Sequence, residues 1–294
     1  MIGVQVFGVA AAWYAIGALL MLAQRRSKAG TSCTSWGKFA SYGLLLIALL
    51  SFAQFSGVLY SLSCGSIVLL ALSEFATSAG IRPIPRLALN AGFLLLAAAA
   101  LTAGESAVYM SAVTLSIAAL AAGAFARDPQ SGSAQATWAV IGLIVIATPG
   151  AHLLLLATRS QRFALFAFLF LVVCCSDAFG ELVGRRWPIG RGVLRASPGK
   201  SIAGFAAGLG AALIMSLTLG AVTGLWSLWR AAVYGLCVAL AAVTGDLTAS
   251  SLKRGFEIKD FGTALRGHGG VLDRFDSLIF AALPFYWLIR GYAT

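Results

Sequence analysis

Residues 202–222 read Ile-Ala-Gly-Phe-Ala-Ala-Gly-Leu-Gly-Ala-Ala-Leu-Ile-Met-Ser-Leu-Thr-Leu-Gly-Ala-Val, an apolar stretch with no charged side chain. A helix of about 20 such residues crosses the hydrocarbon core of a bilayer. In lipid, a helix satisfies its own backbone N–H and C=O groups within the segment. The run is continuously apolar, without the period-2 alternation of a membrane β-strand, which argues against a barrel. Comparable segments lie at 2–23, 39–57, 60–80, 87–104, 106–126, 136–157, 162–183, 228–250 and 275–292. The expected fold is therefore all-α: a polytopic transmembrane bundle of about ten helices. Composition agrees. The chain has 294 residues, 60% hydrophobic and 11% charged, whereas soluble domains are nearer a quarter charged. No basic residue precedes the first segment, so it reads as a retained helix rather than a signal peptide.

The net charge of +11 fits basic loops facing anionic lipid better than nucleic-acid binding, because no stretch mixes cations with exposed aromatics. The positive-inside rule orients the bundle. If the first loop, with Arg25, Arg26, Lys28 and Lys38, is cytoplasmic, then Arg82, Arg86, Arg127, the cations of 185–200 and those of 253–274 fall on the same side. That places 17 of the 21 Lys and Arg inside and both termini outside. Arg159 and Arg162, on the outer side, conflict with the count.

The five cysteines lie mostly in apolar segments with no CxxC pair and read as small buried hydrophobes. His152, within an apolar segment, reads as a packing residue. Gly180 and Gly184, and Gly204 and Gly208, stand at GxxxG spacing, which marks close helix packing. Trp226 and Trp229 fit an interfacial aromatic belt.

Acids divide the chain. Residues 161–294 hold seven of the ten Asp and Glu, whereas in residues 1–160 only Glu74 lies well inside an apolar segment. The expected organisation is an N-terminal scaffold, 1–160, and a catalytic region, 161–294, with cytoplasmic loops 184–201 and 251–274. An acid in a membrane helix is costly and marks function by default. Asp177, Asp246, Asp273 and Asp276 all fall near inner helix ends beside basic loops. Carboxylates gathered near cations suggest Mg²⁺ with a polyphosphate. The plain alternative is a structural ion pair such as Asp177 with Arg185.

Residues 250–276 carry most of the chemistry: Ser-Ser-Leu-Lys-Arg-Gly-Phe-Glu-Ile-Lys-Asp-Phe-Gly-Thr-Ala-Leu-Arg-Gly-His-Gly-Gly-Val-Leu-Asp-Arg-Phe-Asp. Gly267, Gly269 and Gly270 around His268 form a turn able to aim backbone N–H groups at an anion. Lys253, Arg254 and Lys259 supply charge for phosphate.

This stretch resembles the signature of the phosphatidate cytidylyltransferase (CDP-diacylglycerol synthase) family. The matches are Ser250, Leu252 to Arg254, Lys259, Asp260, Gly262, Leu265, His268 to Val271 and Asp273 to Asp276. Upstream, Gly245-Asp246-Leu247 resembles the family's Gly-Asp-Leu element, and Ser197-Pro198-Gly199-Lys200-Ser201 its Ser-Pro-x-Lys-Thr loop. Asp177-Ala178-Phe179 with Gly184-Arg185 resembles a further helix more loosely. The likeness covers about residues 165–290. Departures are Arg266 for Pro, Ala249 and Ala203 for Glu, and Ser201 for Thr.

The resemblance implies transfer of the cytidylyl group of CTP to phosphatidic acid, at the cytoplasmic face of a multi-pass protein of the bacterial inner membrane. Its implied partners are CTP, phosphatidic acid in the bilayer and other membrane lipids, with no nucleic acid; a homodimer is compatible. It implies Asp246, Asp273, Lys253, Arg254 and His268 as catalytic residues. Ser197, Lys200, Lys259, Arg266, Gly267, Gly269, Gly270 and Arg274 would bind substrate. Asp177, Asp246, Asp273 and Asp276 would hold Mg²⁺. The departures leave open another lipid phosphate as acceptor or a CTP-dependent lipid kinase, and an ion-coupled transporter is the alternative of a different class.

Overall fold

The computed structural model describes residues 2–27, 33–193, 197–262 and 269–291. Among them are ten helices: α1 (Ile2–Ser27), α2 (Cys33–Phe55), α3 (Gly57–Ser78), α4 (Pro83–Thr102), α5 (Glu105–Ala124), α6 (Pro129–Ala157), α7 (Arg162–Arg186), α8 (Ile202–Thr223), α9 (Leu228–Gly255) and α10 (Leu272–Ile289). Eight are long and apolar enough to cross a membrane. The polytopic helical architecture expected from the apolar runs is the one observed. Midway, α6 passes through a π-helical turn, Leu143–Ala147.

Helix ends differ from the apolar runs where polar capping takes over. The apolar stretches begin at 87 and 136, but α4 and α6 begin at Pro83 and Pro129, each in the first helical turn. Proline is suited to that position because its missing N–H would be unpaired there anyway. The Asp128 carboxylate accepts from the Gln130 N–H at 3.2 Å, so the polar turn that follows is helical. Residues 251–274, expected as one loop, are helical at both ends. Lys253 and Arg254 lie in the last turn of α9, and Asp273 in the first turn of α10. Each sign of charge thus sits at the helix end whose dipole favours it.

The chain forms two compact units, one from residues 1–60 and 161–240, the other from 61–160 and 241–294. Each draws on both sides of residue 160. In the first unit, α7 and α8 approach closely at their glycines. A Cβ on Gly204 would lie 2.5 Å from the Gly180 carbonyl oxygen and 3.0 Å from Gly184 Cα, so the GxxxG spacing reports a backbone contact. Ser201 starts α8 by accepting from the Gly204 N–H at 3.1 Å. Trp226 packs edge-on against Phe168 and Tyr234, whereas Trp229 is exposed.

The second unit is built around α6, whose residues 148–156 are all buried. His152 is fully buried, as expected, and also hydrogen-bonded through both ring nitrogens. Nδ1 faces the Thr148 carbonyl at 2.7 Å, which can only accept, so this nitrogen carries the proton. Nε2 then accepts from the Tyr109 hydroxyl at 2.6 Å, whose oxygen accepts from Trp287 Nε1 at 2.6 Å. The arginines that strain the positive-inside count are held by protein groups. Arg159 donates to the Tyr286 hydroxyl at 2.7 Å, and in the first unit Arg162 donates to the Ala53 carbonyl at 3.3 Å. The described cysteines, Cys64, Cys174, Cys175 and Cys237, are free thiols.

Candidate active site

In the second unit the end of α9 meets the start of α10 through one carboxylate. Asp273 Oδ1 accepts from Lys253 Nζ at 2.7 Å. Its Oδ2 accepts from the backbone N–H of Phe261 at 2.8 Å and of Gly270 at 3.0 Å. The two side chains are 15% and 7% exposed, so this is a largely desolvated ion pair, whose rupture leaves an uncompensated charge. The Lys253 ammonium also stands 5.6 Å from the Phe261 ring centroid, within cation–π range. Gly269 reaches this turn with φ of +78°, a conformation that glycine adopts without strain.

Glu74, from α3, completes the turn. Its carboxylate accepts from the N–H groups of Val271 at 2.9 Å and Leu272 at 2.8 Å, two amides at the start of α10. Gly262 and Gly270 both pack on this carboxylate: a Cβ on Gly262 would lie 2.5 Å from Glu74 Oε1, and one on Gly270 would collide with Oε2. The glycines therefore serve close approach to a half-buried acid. Sequence reasoning set Glu74 aside with the scaffold half. The signal that it carried was its position as an acid within an apolar helix.

Asp246 lies on α9, within long reach of the Ser250 hydroxyl at 3.5 Å. Its neighbour Gly245 packs on the turn of Asp276: a Cβ there would lie 3.2 Å from the Asp276 carbonyl oxygen. Two carboxylate-bearing turns are thus side by side. Beside them a crevice of about 20 Å³, room for roughly one water, is bounded by Val145 and Ile146 of the π-helical turn, Gly245, Ala249, Phe261 and Asp276. Ala249 forms part of this wall where the resemblance expects Glu.

Among the described residues no three Asp, Glu, His or Cys side chains converge as a complete metal cage. Mg²⁺ does not require one. It is usually held by one or two carboxylates together with waters and substrate phosphates. The adjacent turns of Asp246 and Asp276 offer two hard oxygen donors of that type, so the residues fit the ion.

The remaining expected residues are dispersed. Arg254, Lys259 and Asp260 are exposed, and Arg274 is half-buried, in the same unit as Asp273. Asp177, Ser197 and Lys200 belong to the other unit, where Asp177 is exposed on α7. There Arg185 pairs with Glu181, four residues earlier. Arg266, Gly267 and His268 lie outside the described residues.

A Lys–Asp pair largely out of solvent thus sits beside a glycine turn in an apolar helical protein. Comparison with known families matches residues 38–292 to the cytidylyltransferase family, and the chain belongs to that family. An Escherichia coli K12 relative, the uncharacterized protein YnbB, is 33% identical over 159 residues, 52% of this chain and 52% of its own. The phosphatidate cytidylyltransferase of Staphylococcus saprophyticus is 38% identical over 130 residues, 42% of this chain and 48% of its own. That of Staphylococcus aureus strain COL is also 38% identical over 130 residues, with the same shares. The chain spans about half the length of the curated relatives it matches.

Proposed function

We propose that this protein transfers the cytidylyl group of CTP to phosphatidic acid, giving CDP-diacylglycerol and pyrophosphate at the cytoplasmic face of a bacterial inner membrane. The observation that supports it most is the Lys253–Asp273 pair. One cation is held at a fixed place, with the glycine turn and the start of α10 locked around it.

In this reading a phosphatidate phosphate oxygen attacks the α-phosphorus of CTP, a new P–O bond forms, and the bond to the β-phosphate oxygen breaks. Both reactants are anionic, so the protein's task is to position them and to offset their repulsion. Lys253 has three donors; Asp273 takes one and fixes the direction of the others. Arg254 and Lys259, exposed at the same end of α9, hold phosphates from solution. Asp246 and Asp276 are the proposed Mg²⁺ ligands. When bound, the ion supplies a Lewis acid that orients phosphate oxygens and spreads the charge growing on the leaving pyrophosphate. Asp273, with three hydrogen bonds already accepted, orients the cation. No nucleophile on the protein is required. The lipid arrives within the bilayer and CTP from water, which fits a site at helix ends.

Purified protein in detergent micelles should release pyrophosphate only when CTP, phosphatidic acid and Mg²⁺ are all present. Release that is indifferent to the lipid contradicts the reading.

A further inference from the structure

We propose that Glu74 is a positioning residue for this centre, acting on Asp273 and Lys253 without touching substrate. The inference rests on the cytidylyl-transfer reading of that pair.

Three observations at the end of α3 converge. Glu74 grips the first amides of α10 with both oxygens, at 2.9 and 2.8 Å. Its carboxylate is the surface on which Gly262 and Gly270 close. One turn further, the Ser78 hydroxyl donates to the Phe261 carbonyl at 3.2 Å, and between them Phe75 packs on the rings of Phe256 and Phe261. The backbone that Glu74 and Ser78 hold, residues 261–262 and 270–272, is the backbone whose N–H groups fix Asp273 Oδ2. The carboxylate that directs Lys253 therefore inherits its orientation from α3, almost 200 residues earlier in the chain.

Ordinary capping does not account for the choice of residue. A helix start needs only a local Ser, Thr, Asp or Asn, as Ser201 provides for α8. A carboxylate drawn from an apolar helix is a costly substitute. What it adds is a charged oxygen for each of two adjacent amides, and hydrogen bonds to an ionised acceptor are the stronger ones. In Glu74→Gln one oxygen is replaced by an NH₂ that meets a backbone N–H donor.

The test is Glu74→Gln, with Glu74→Leu beside it, each purified in micelles and compared with the wild type. Losing support of this kind typically costs about ten- to a hundredfold. Glu74→Gln should lower kcat about tenfold and move the KM for CTP less than about threefold, with Glu74→Leu lower still in kcat. Without any substrate, amide exchange at Val271 and Leu272 in Glu74→Gln should quicken by about tenfold or more. A kcat within about twofold of wild type overturns the inference, as does unchanged exchange at those amides. So does a common fall of kcat, CTP affinity and melting temperature, which would make Glu74 structural alone. If the wild type transfers nothing from CTP to phosphatidate, the functional reading fails instead, and the exchange experiment still reports whether Glu74 holds the turn.

Discussion

Asp273→Asn is expected to lower turnover by about a hundredfold, the upper end of what losing support around a metal or phosphate centre costs, and to lower the melting temperature as well. The carboxylate accepts one hydrogen bond on Oδ1, from Lys253, and two on Oδ2, from the Phe261 and Gly270 amides. An asparagine offers one oxygen and one NH₂. If the oxygen keeps the two amides, the NH₂ faces an ammonium; if it turns to Lys253, the NH₂ faces two backbone donors. In both rotamers donor meets donor, and Lys253 is left without its counter-charge. Breaking one side of a buried ion pair costs about 3–5 kcal/mol. Lys253→Met separates stability from chemistry. The double variant, neutral on both sides, should recover part of the melting temperature because neither charge is left alone. It should not recover turnover, because the cation is gone. Recovery of activity in the double variant would show that the pair serves the fold only. The measurements are kcat with CTP and phosphatidate, and thermal unfolding in micelles.

Asp246→Asn should cost activity on a similar scale. The Ser250 hydroxyl approaches Asp246 at a long 3.5 Å. The importance of Asp246 lies in the turn it shares with Gly245, which packs against the turn of Asp276. On the proposed assignment the substitution removes one of two protein oxygens from Mg²⁺. Turnover should fall about ten- to a hundredfold or more, and the Mg²⁺ concentration for half-maximal activity should rise. Activity within about threefold of wild type, with unchanged Mg²⁺ dependence, removes Asp246 from the metal site. The contrast is the diagnostic: Asp246 is expected to change the Mg²⁺ dependence of turnover, Asp273 the melting temperature as well as turnover.

The helices were legible in the sequence because lipid imposes a simple demand. A run of about 20 apolar residues can satisfy its backbone only within itself, and each of the ten runs coincides with a helix. What hydropathy does not see is capping. The polar turn at 129–135 is helical because of Asp128 and Pro129, not because of apolar content. The partners of two arginines were also hidden. Arg159 and Arg162 count as loop charge in a sequence, but each is bound to a group brought close only by folding.

The candidate site was legible where its residues are contiguous. Lys253, Asp260, Gly269, Gly270 and Asp273 lie within one short stretch whose spacing is itself the signal. Their division of labour was less visible. Asp273 reads as one more metal carboxylate until its amide partners, Phe261 and Gly270, are known. Glu74 was the least legible. A single Glu among Leu, Ser and Phe carries no pattern, and the glycines that meet it are about 190 residues away. The cost of an acid in an apolar helix was the available clue. It pointed to a partner without saying which.

Parallel incubations with CTP labelled at the α-phosphate and at the γ-phosphate test the central claim most directly. Purified protein, phosphatidic acid and Mg²⁺ are common to both, and the lipid is extracted and counted. The account predicts that α-label enters the lipid fraction while γ-label leaves entirely as pyrophosphate, because the bond broken lies between the α-phosphorus and the bridging oxygen. Transfer of γ-label to the lipid, with none from the α-position, would contradict it and identify a CTP-dependent lipid kinase. No lipid label from either position would deny group transfer to phosphatidate altogether.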